Sequence, residues 1–259
     1  MSREYYAHSL PGKPTKDWHR LESHLQAVAD KASFFAESFG AGEWAYLAGL
    51  WHDLGKYSRE FQARIVAVSD PDAHIETRPG RPDHSTAGAQ HSQNTLKTMG
   101  KGKLIAYAIA DHHSGLPDGK TNDLSCLVRR LEKIIPDYSA APSGIITKPA
   151  TLTLPFVLDK KRVCFQLSFF TRMLYSCLVD ADFLETENFM EPEKASWRQG
   201  YPELPALWDK LSYHMDHLIS QVPATKINGH RKDIFDHCLE AAEWKPGLFS
   251  LTVPTGGGK

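Results

Sequence analysis

Polar side chains stand on the apolar faces of three helical segments, and this constrains the fold more than any other feature of the chain. Trp18, Leu21, Leu25, Val28, Ala32, Phe35 and Phe39 recur every three or four positions, predicting a helix over residues 17–39 stopped by Gly40. His24 falls on that face, between Leu21, Leu25 and Val28. Trp44, Leu47, Ala48, Trp51 and Leu54 predict a second helix ending at Gly55, with His52 and Asp53 in its last turn. Asp182 follows Leu178 by one turn in the apolar run RMLYSCLVDADFL. A carboxylate turned into a core is costly unless it is paired or bound to a cation. A fold of this chain must therefore let such residues satisfy one another.

Further helices are predicted over residues 85–99, 103–111, 121–135, 163–184, 205–222 and 228–242. The connections between them are rich in proline, glycine and polar residues, and residues 151–158 suit a short hairpin arm. The fold class expected is all-α, followed by a short β-prone run at residues 248–253. Charged residues are 24% of the chain, which excludes a disordered polymer, and no apolar run approaches a membrane span of roughly 18–20 residues. The first residues have no apolar region of a secretory signal, and the four cysteines are scattered without a CxxC pair. These features point to reduced thiols and a cytoplasmic location, with no membrane partner. A net charge of −1 argues against a surface coated for duplex DNA. Local basic clusters remain at Lys97, Lys101 and Lys103, at Arg129-Arg130, and at Lys160-Lys161-Arg162.

Histidine is distributed unevenly: nine of the 13 precede residue 114. Neutral imidazole and carboxylate are the ligand types of Fe(II), Mn(II), Co(II), Ni(II) and Zn(II). Each candidate also has an ordinary structural reading. A lone core histidine is commonly hydrogen-bonded and inert, and Asp182 could pair with Arg172. His112-His113 could simply end a helix, where imidazolium suits the dipole. Asp83 or Ser85 could cap a helix and leave His84 incidental. Taken as an ordered set on inward helical faces, they point instead to a shared cation.

The set His24, His52-Asp53, His84, His112-His113 and Asp182 resembles the HD superfamily of metal-dependent phosphohydrolases. The stretches AHS, WHRLESHL, GLWHDLGKYSREFQ, DHSTAGA, IADHHSGLPD and SCLVDADFLETE are more narrowly similar to the N-terminal HD-type nuclease domain of the CRISPR-associated helicase–nucleases of type I systems. In that family a superfamily 2 helicase follows, and the terminal LTVPTGGGK resembles the start of its motif I. The resemblance implies an HD domain over residues 1–222. Residues 223–259 would form a connecting helix and the truncated start of a RecA-like helicase domain.

Carried over residue by residue, the resemblance implies a dinuclear centre. His24, His52, Asp53 and Asp182 would hold one metal; Asp53 as bridge, His84, His112 and His113 would hold the second. Two ions roughly 3.5–4 Å apart can activate water and stabilise both oxygens of an in-line displacement at phosphorus. The ions implied are divalent transition metals, Fe, Mn, Co or Ni ahead of Mg. Lys56 would be catalytic alongside Asp53, contacting phosphate or water. Asp180 ranks behind Asp182 because its helical face differs, and His8 and His19 rank lower as ligands. Gly256, Gly258 and Lys259 would begin a nucleotide loop, incomplete here, so that ATP would serve only the full-length helicase.

The activity implied is hydrolysis of single-stranded DNA in CRISPR interference, with the RNA-guided surveillance complex as partner. The alternatives are an HD phosphohydrolase acting on nucleotides or cyclic nucleotides, and a non-catalytic metal-binding docking module.

Overall fold

The computed structural model describes residues 4–67, 83–97, 100–149, 151–198 and 200–253. It divides into two compact units, Met1–Arg198 and Gln199–Lys259. The division falls before the helix at Leu204–Gln221, which the sequence reading placed in the first domain.

The first unit is a helical bundle, with one small sheet as the only sheet among the described residues. Strand β1 (Tyr6–His8) pairs antiparallel with β2 (His19–Arg20). Helix α1 (Leu21–Glu37) packs on α2 (Gly42–Trp51), and a 3-10 turn (Leu54–Tyr57) leads into α3 (Arg59–Ala67). Helix α4 (Ser85–Thr95) packs on α5 (Lys101–Ala110), and a short α6 (Leu127–Leu131) lies against both. The long α7 (Val163–Met190) contacts α1, α2 and α5, and α8 (Pro192–Ser196) follows it. Leu21, Leu25, Trp44, Leu50, Trp51, Ile109, Leu174 and Leu178 are all buried in one core.

Several element boundaries depart from the periodicity, each for a visible reason. The first helix begins at Leu21, because residues 19–20 are drawn into pairing with β1 and Leu21 N–H donates to Tyr5 O at 2.8 Å. It ends as expected, with Gly40 at φ 71° donating to Glu37 O at 3.0 Å. Helix α4 stops at Thr95, where Leu96 caps back to Ser92 O. The expected helix over 121–135 shrinks to α6, since Asp123 Oδ1 accepts from Ser125 N–H at 2.9 Å and holds the preceding residues in a turn. No strand forms over residues 151–158 among the described residues, so the hairpin arm is not present. That segment is laid on the core instead: Leu152 is buried and Trp44 Nε1 donates to Thr153 O at 2.7 Å.

Helix α7 runs past residue 184 to Met190, with Phe170, Leu174, Leu178, Ala181 and Glu185 buried along one stripe. All four cysteines are free thiols. Among the described residues, no helix is long and apolar enough to cross a membrane.

The second unit contains α9 (Leu204–Gln221) and α10 (Lys226–Ala242). Thr225 caps α10, its hydroxyl accepting from Asn228 N–H at 3.3 Å. Residues 248–253 follow in non-helical conformation, with Leu248, Phe249 and Leu251 exposed. Gly256, Gly258 and Lys259, the expected nucleotide loop, lie outside the described residues.

Close backbone approach sets where α4 meets α2. A Cβ on Gly88 would stand 1.9 Å from the carbonyl oxygen of Trp51, the last residue of α2. Gly88→Ala must therefore push the two helices apart, and is expected to destabilise the protein by about 1–3 kcal/mol. Urea denaturation checks this; an unchanged midpoint would contradict the packing described.

Candidate metal centre

Two histidines are held by the same local device. Helix α2 ends at Trp51, so His52 sits at its C-cap rather than within the last turn. There His52 Nδ1–H donates to Gly49 O at 2.7 Å, three residues back. His112, two residues past the end of α5, donates its Nδ1–H to Ile109 O at 2.9 Å, again three residues back. Each bond satisfies a helix-terminal carbonyl and fixes the tautomer, leaving the Nε2 lone pair directed inward. His112 thus does stand at a helix end, but as a neutral imidazole rather than the imidazolium that would suit the dipole.

His84 is held from both sides. Asp83 accepts from Thr86 N–H at 3.1 Å and Thr86 Oγ1–H at 2.7 Å, capping the start of α4. Gly55 N–H donates to His84 O at 3.1 Å, and a Cβ on Gly55 would lie 2.5 Å from His84 Cα. Arg130 ties this end of α4 to the end of α5, since it ion-pairs with Asp111 and bonds Ser85 Oγ at 3.3 Å and Thr86 Oγ1 at 3.4 Å. Arg130, one of the local basic cluster Arg129-Arg130, thus faces inward and buttresses the site. Arg129 does stay on the surface, with Glu132.

At the centre lies Asp53, only 1% exposed, whose two oxygens face different groups. Oδ2 is 3.3 Å from His52 Nε2 and 3.7 Å from His24 Nε2. Oδ1 is 3.5 Å from His84 Nε2 and 3.7 Å from His112 Nε2. Asp182 Oδ1 closes the first group, at 3.3 Å from His24 and 3.5 Å from His52. His113, exposed, closes the second, its Nε2 at 3.2 Å from that of His84. His24, His52 and Asp182, and separately Asp53, His84, His112 and His113, present ligand atoms all within 4.8 Å of one another. All seven residues singled out in the sequence therefore converge. Asp180 is exposed on the far side of α7, and Arg172 is exposed as well.

The donor set fits divalent cations. His24 Nε2, His52 Nε2, His112 Nε2 and Asp53 Oδ1 are buried with no hydrogen bond of acceptable geometry among the described residues. Leaving four such atoms unsatisfied is costly in a core, and all four point at the same small volume.

The charges agree. Burial disfavours a proton on His24, but the Asp182, Asp53 and Glu185 carboxylates outweigh it and raise its pKa to about 10. His52 is likewise opposed by burial and raised to about 9 by Asp53 and Asp182. Burial, with His113 and His52 nearby, pushes His112 down to about 3 and keeps it a neutral donor. The Asp53 carboxyl stays well below its usual range despite burial, chiefly through Lys56 and His52. The carboxylates draw positive charge into the site, and a metal ion competes with protons for the same nitrogens.

Lys56, 1% exposed, places its Nζ at 2.7 Å from Asp53 Oδ2 and donates to Ala7 O at 3.3 Å. It orients the shared carboxylate. A cavity of about 350 Å³ opens beside the centre, lined among others by His8, His112, His113, Asp182, Phe183 and Lys194.

Sequence reasoning missed Glu185. It is buried, accepts from His24 Nδ1–H at 2.9 Å and lies 3.3 Å from His19 Nε2. A signal was available: Glu185 follows Asp182 by three residues in the same apolar helix, so the two share a face. His8 and His19, ranked low as ligands, lie close to His24 and form a third histidine group with it.

Residues 21–137 match the HD domain family. That segment holds His24, His52, Asp53, His84, His112 and His113, while Asp182 comes from α7, beyond it. The matched segment lies within the first unit and supports an HD-type metal-dependent phosphohydrolase domain there. No curated protein matches the chain.

Asp182 and Asp180 give a side-by-side test. Asp182→Asn is expected to weaken metal binding about tenfold or more, whereas Asp180→Asn binds metal like the parent. Metal stoichiometry of the two proteins after dialysis checks this. Equal loss in both would contradict the geometry of α7.

Proposed function

We propose that the chain is a metal-dependent nuclease that hydrolyses phosphodiester bonds of single-stranded DNA in type I CRISPR interference. The observation that carries the reading is the Asp53 carboxylate, one oxygen facing His24 and His52 and the other facing His84 and His112. The ordered motifs shared with the CRISPR-associated helicase–nucleases supply the substrate class. The HD domain match supports the coarser activity, a metal-dependent hydrolase.

In this reading His24, His52 and Asp182 would hold one ion and His84, His112 and His113 the other, with Asp53 facing both groups. Such a pair supplies Lewis acidity and a nucleophile drawn from water near neutral pH. The chain supplies the rest. Gly49 and Ile109 carbonyls fix the imidazoles, and Lys56 steadies Asp53. Lys194, 47% exposed, stands at the cavity where a phosphate would enter.

A cavity of about 350 Å³ beside buried ligands suits a flexible strand, whose backbone can bend into it, better than a duplex. The second unit and residues 254–259 would connect to an ATP-driven helicase, recruited by an RNA-guided surveillance complex. The same cavity is of a size to take a mononucleotide, which favours a nucleotide or cyclic-nucleotide phosphohydrolase as the second reading.

The test uses metal-stripped protein reloaded with Mn²⁺ and offered circular single-stranded DNA, nucleoside triphosphates and cyclic nucleotides in parallel. The proposal expects the circle to be cut and degraded, the nucleotides left intact, and Asp53→Ala reduced to background. Nucleotide turnover with intact circles would establish the second reading. No turnover of any substrate by metal-loaded protein would favour a docking module.

A further inference from the structure

Helix α7 holds both nitrogens of one histidine. Asp182 faces His24 Nε2 at 3.3 Å, and Glu185, one turn later, takes His24 Nδ1–H at 2.9 Å. This sets His24 apart from the other fixed imidazoles. His52 and His112 sit at helix ends and donate Nδ1–H to backbone carbonyls there. His24 lies in the first turns of α1, where the carbonyls behind it are engaged in the helix, so its Nδ1–H needs a side-chain acceptor.

The acceptor is a buried carboxylate rather than a neutral carbonyl. It is itself fixed: Glu185 Oε1 lies 3.3 Å from His19 Nε2, and the His19 ring stacks on Phe189, with centroids 4.1 Å apart and planes 9° from parallel. Asp182, Glu185 and Phe189 follow one another at three and four residues, a single stripe of α7.

From this geometry we infer that Glu185 is a positioning residue that sets the metal affinity of the His24–His52–Asp182 group in preference to that of the His84–His112–His113 group, with Asp53 common to both. The inference rests on the metal-centre reading of the site. A carboxylate on the distal nitrogen fixes the tautomer and makes the imidazole a stronger donor. Glu185 reaches the cluster through His24, with His19 on its other oxygen. The alternative use of this corner, a separate cation held by His8, His19 and His24, is disfavoured because His24 Nδ1–H goes to Glu185 and its Nε2 faces Asp182 and Asp53 instead.

The experiment titrates Co²⁺ into the full, metal-stripped chain, followed by calorimetry and by the visible absorption of the bound ion. The parent is expected to take up two ions in resolvable steps. In Glu185→Gln one step weakens about tenfold to a hundredfold with a changed absorption band, and the other step changes by a much smaller factor. Glu185→Asp retains the charge but withdraws the oxygens, and shifts the same step in the same direction by a smaller factor. It decides the matter if the Gln variant does not fold.

Parent-like binding of both ions by the Glu185 variants would overturn the inference, as would equal weakening of both steps. A parent that takes up fewer than two ions would instead remove the metal-centre reading beneath it, and the two failures are read from different proteins.

Discussion

A carboxylate almost wholly withdrawn from water, Asp53, is the group around which the first unit is organised. Left alone in a core of leucine, tryptophan and alanine, an ionised carboxylate would cost several kcal/mol. It is compensated by Lys56 at 2.7 Å and by imidazoles arriving from α1, the end of α2, the start of α4 and the end of α5. Each helix packed against its neighbours thus delivers one partner to the same point. The apolar contacts stabilise the bundle, and the polar cluster selects which helix ends must meet.

Helix termini do most of this delivery. Carbonyls near the ends of α2 and α5 accept from the His52 and His112 rings, so the groups that finish the helices also aim the inward nitrogens. Asp83 does the corresponding work at the start of α4, and Arg130 links that start to Asp111. Glycine allows the approach: neither Gly55 against His84 nor Gly88 against Trp51 has room for a side chain. The site is built from connections, but every connection is anchored to a buried helix.

The parts of this arrangement that could be read from the sequence were those set by periodicity. His24 and Asp182 were legible because a polar residue on a 3.6-residue apolar stripe has to face inward, and Asp180, two residues away, has to face out. His84, His112 and His113 were legible only as members of an ordered set, since loops and helix ends carry no period. Glu185 escaped notice because glutamate near the end of a helix is ordinarily solvent-exposed, and its partner His19 belongs to a strand that periodicity read as helix. Arg130 could not be told from Arg129 for a related reason: a pair of arginines in a polar stretch gives no sign that one of them turns toward a buried aspartate. Residues 121–135 and 151–158 departed from expectation because an aspartate-led turn and packing against Trp44 outweighed local preference.

The account stands on Asp53 being shared between two ions. Anomalous diffraction from crystals grown with Mn²⁺ measures this directly. The account predicts two anomalous peaks on opposite sides of the Asp53 carboxylate, one among His24, His52 and Asp182 and the other among His84, His112 and His113. A single peak, or peaks that leave either oxygen of Asp53 without an ion, would contradict it.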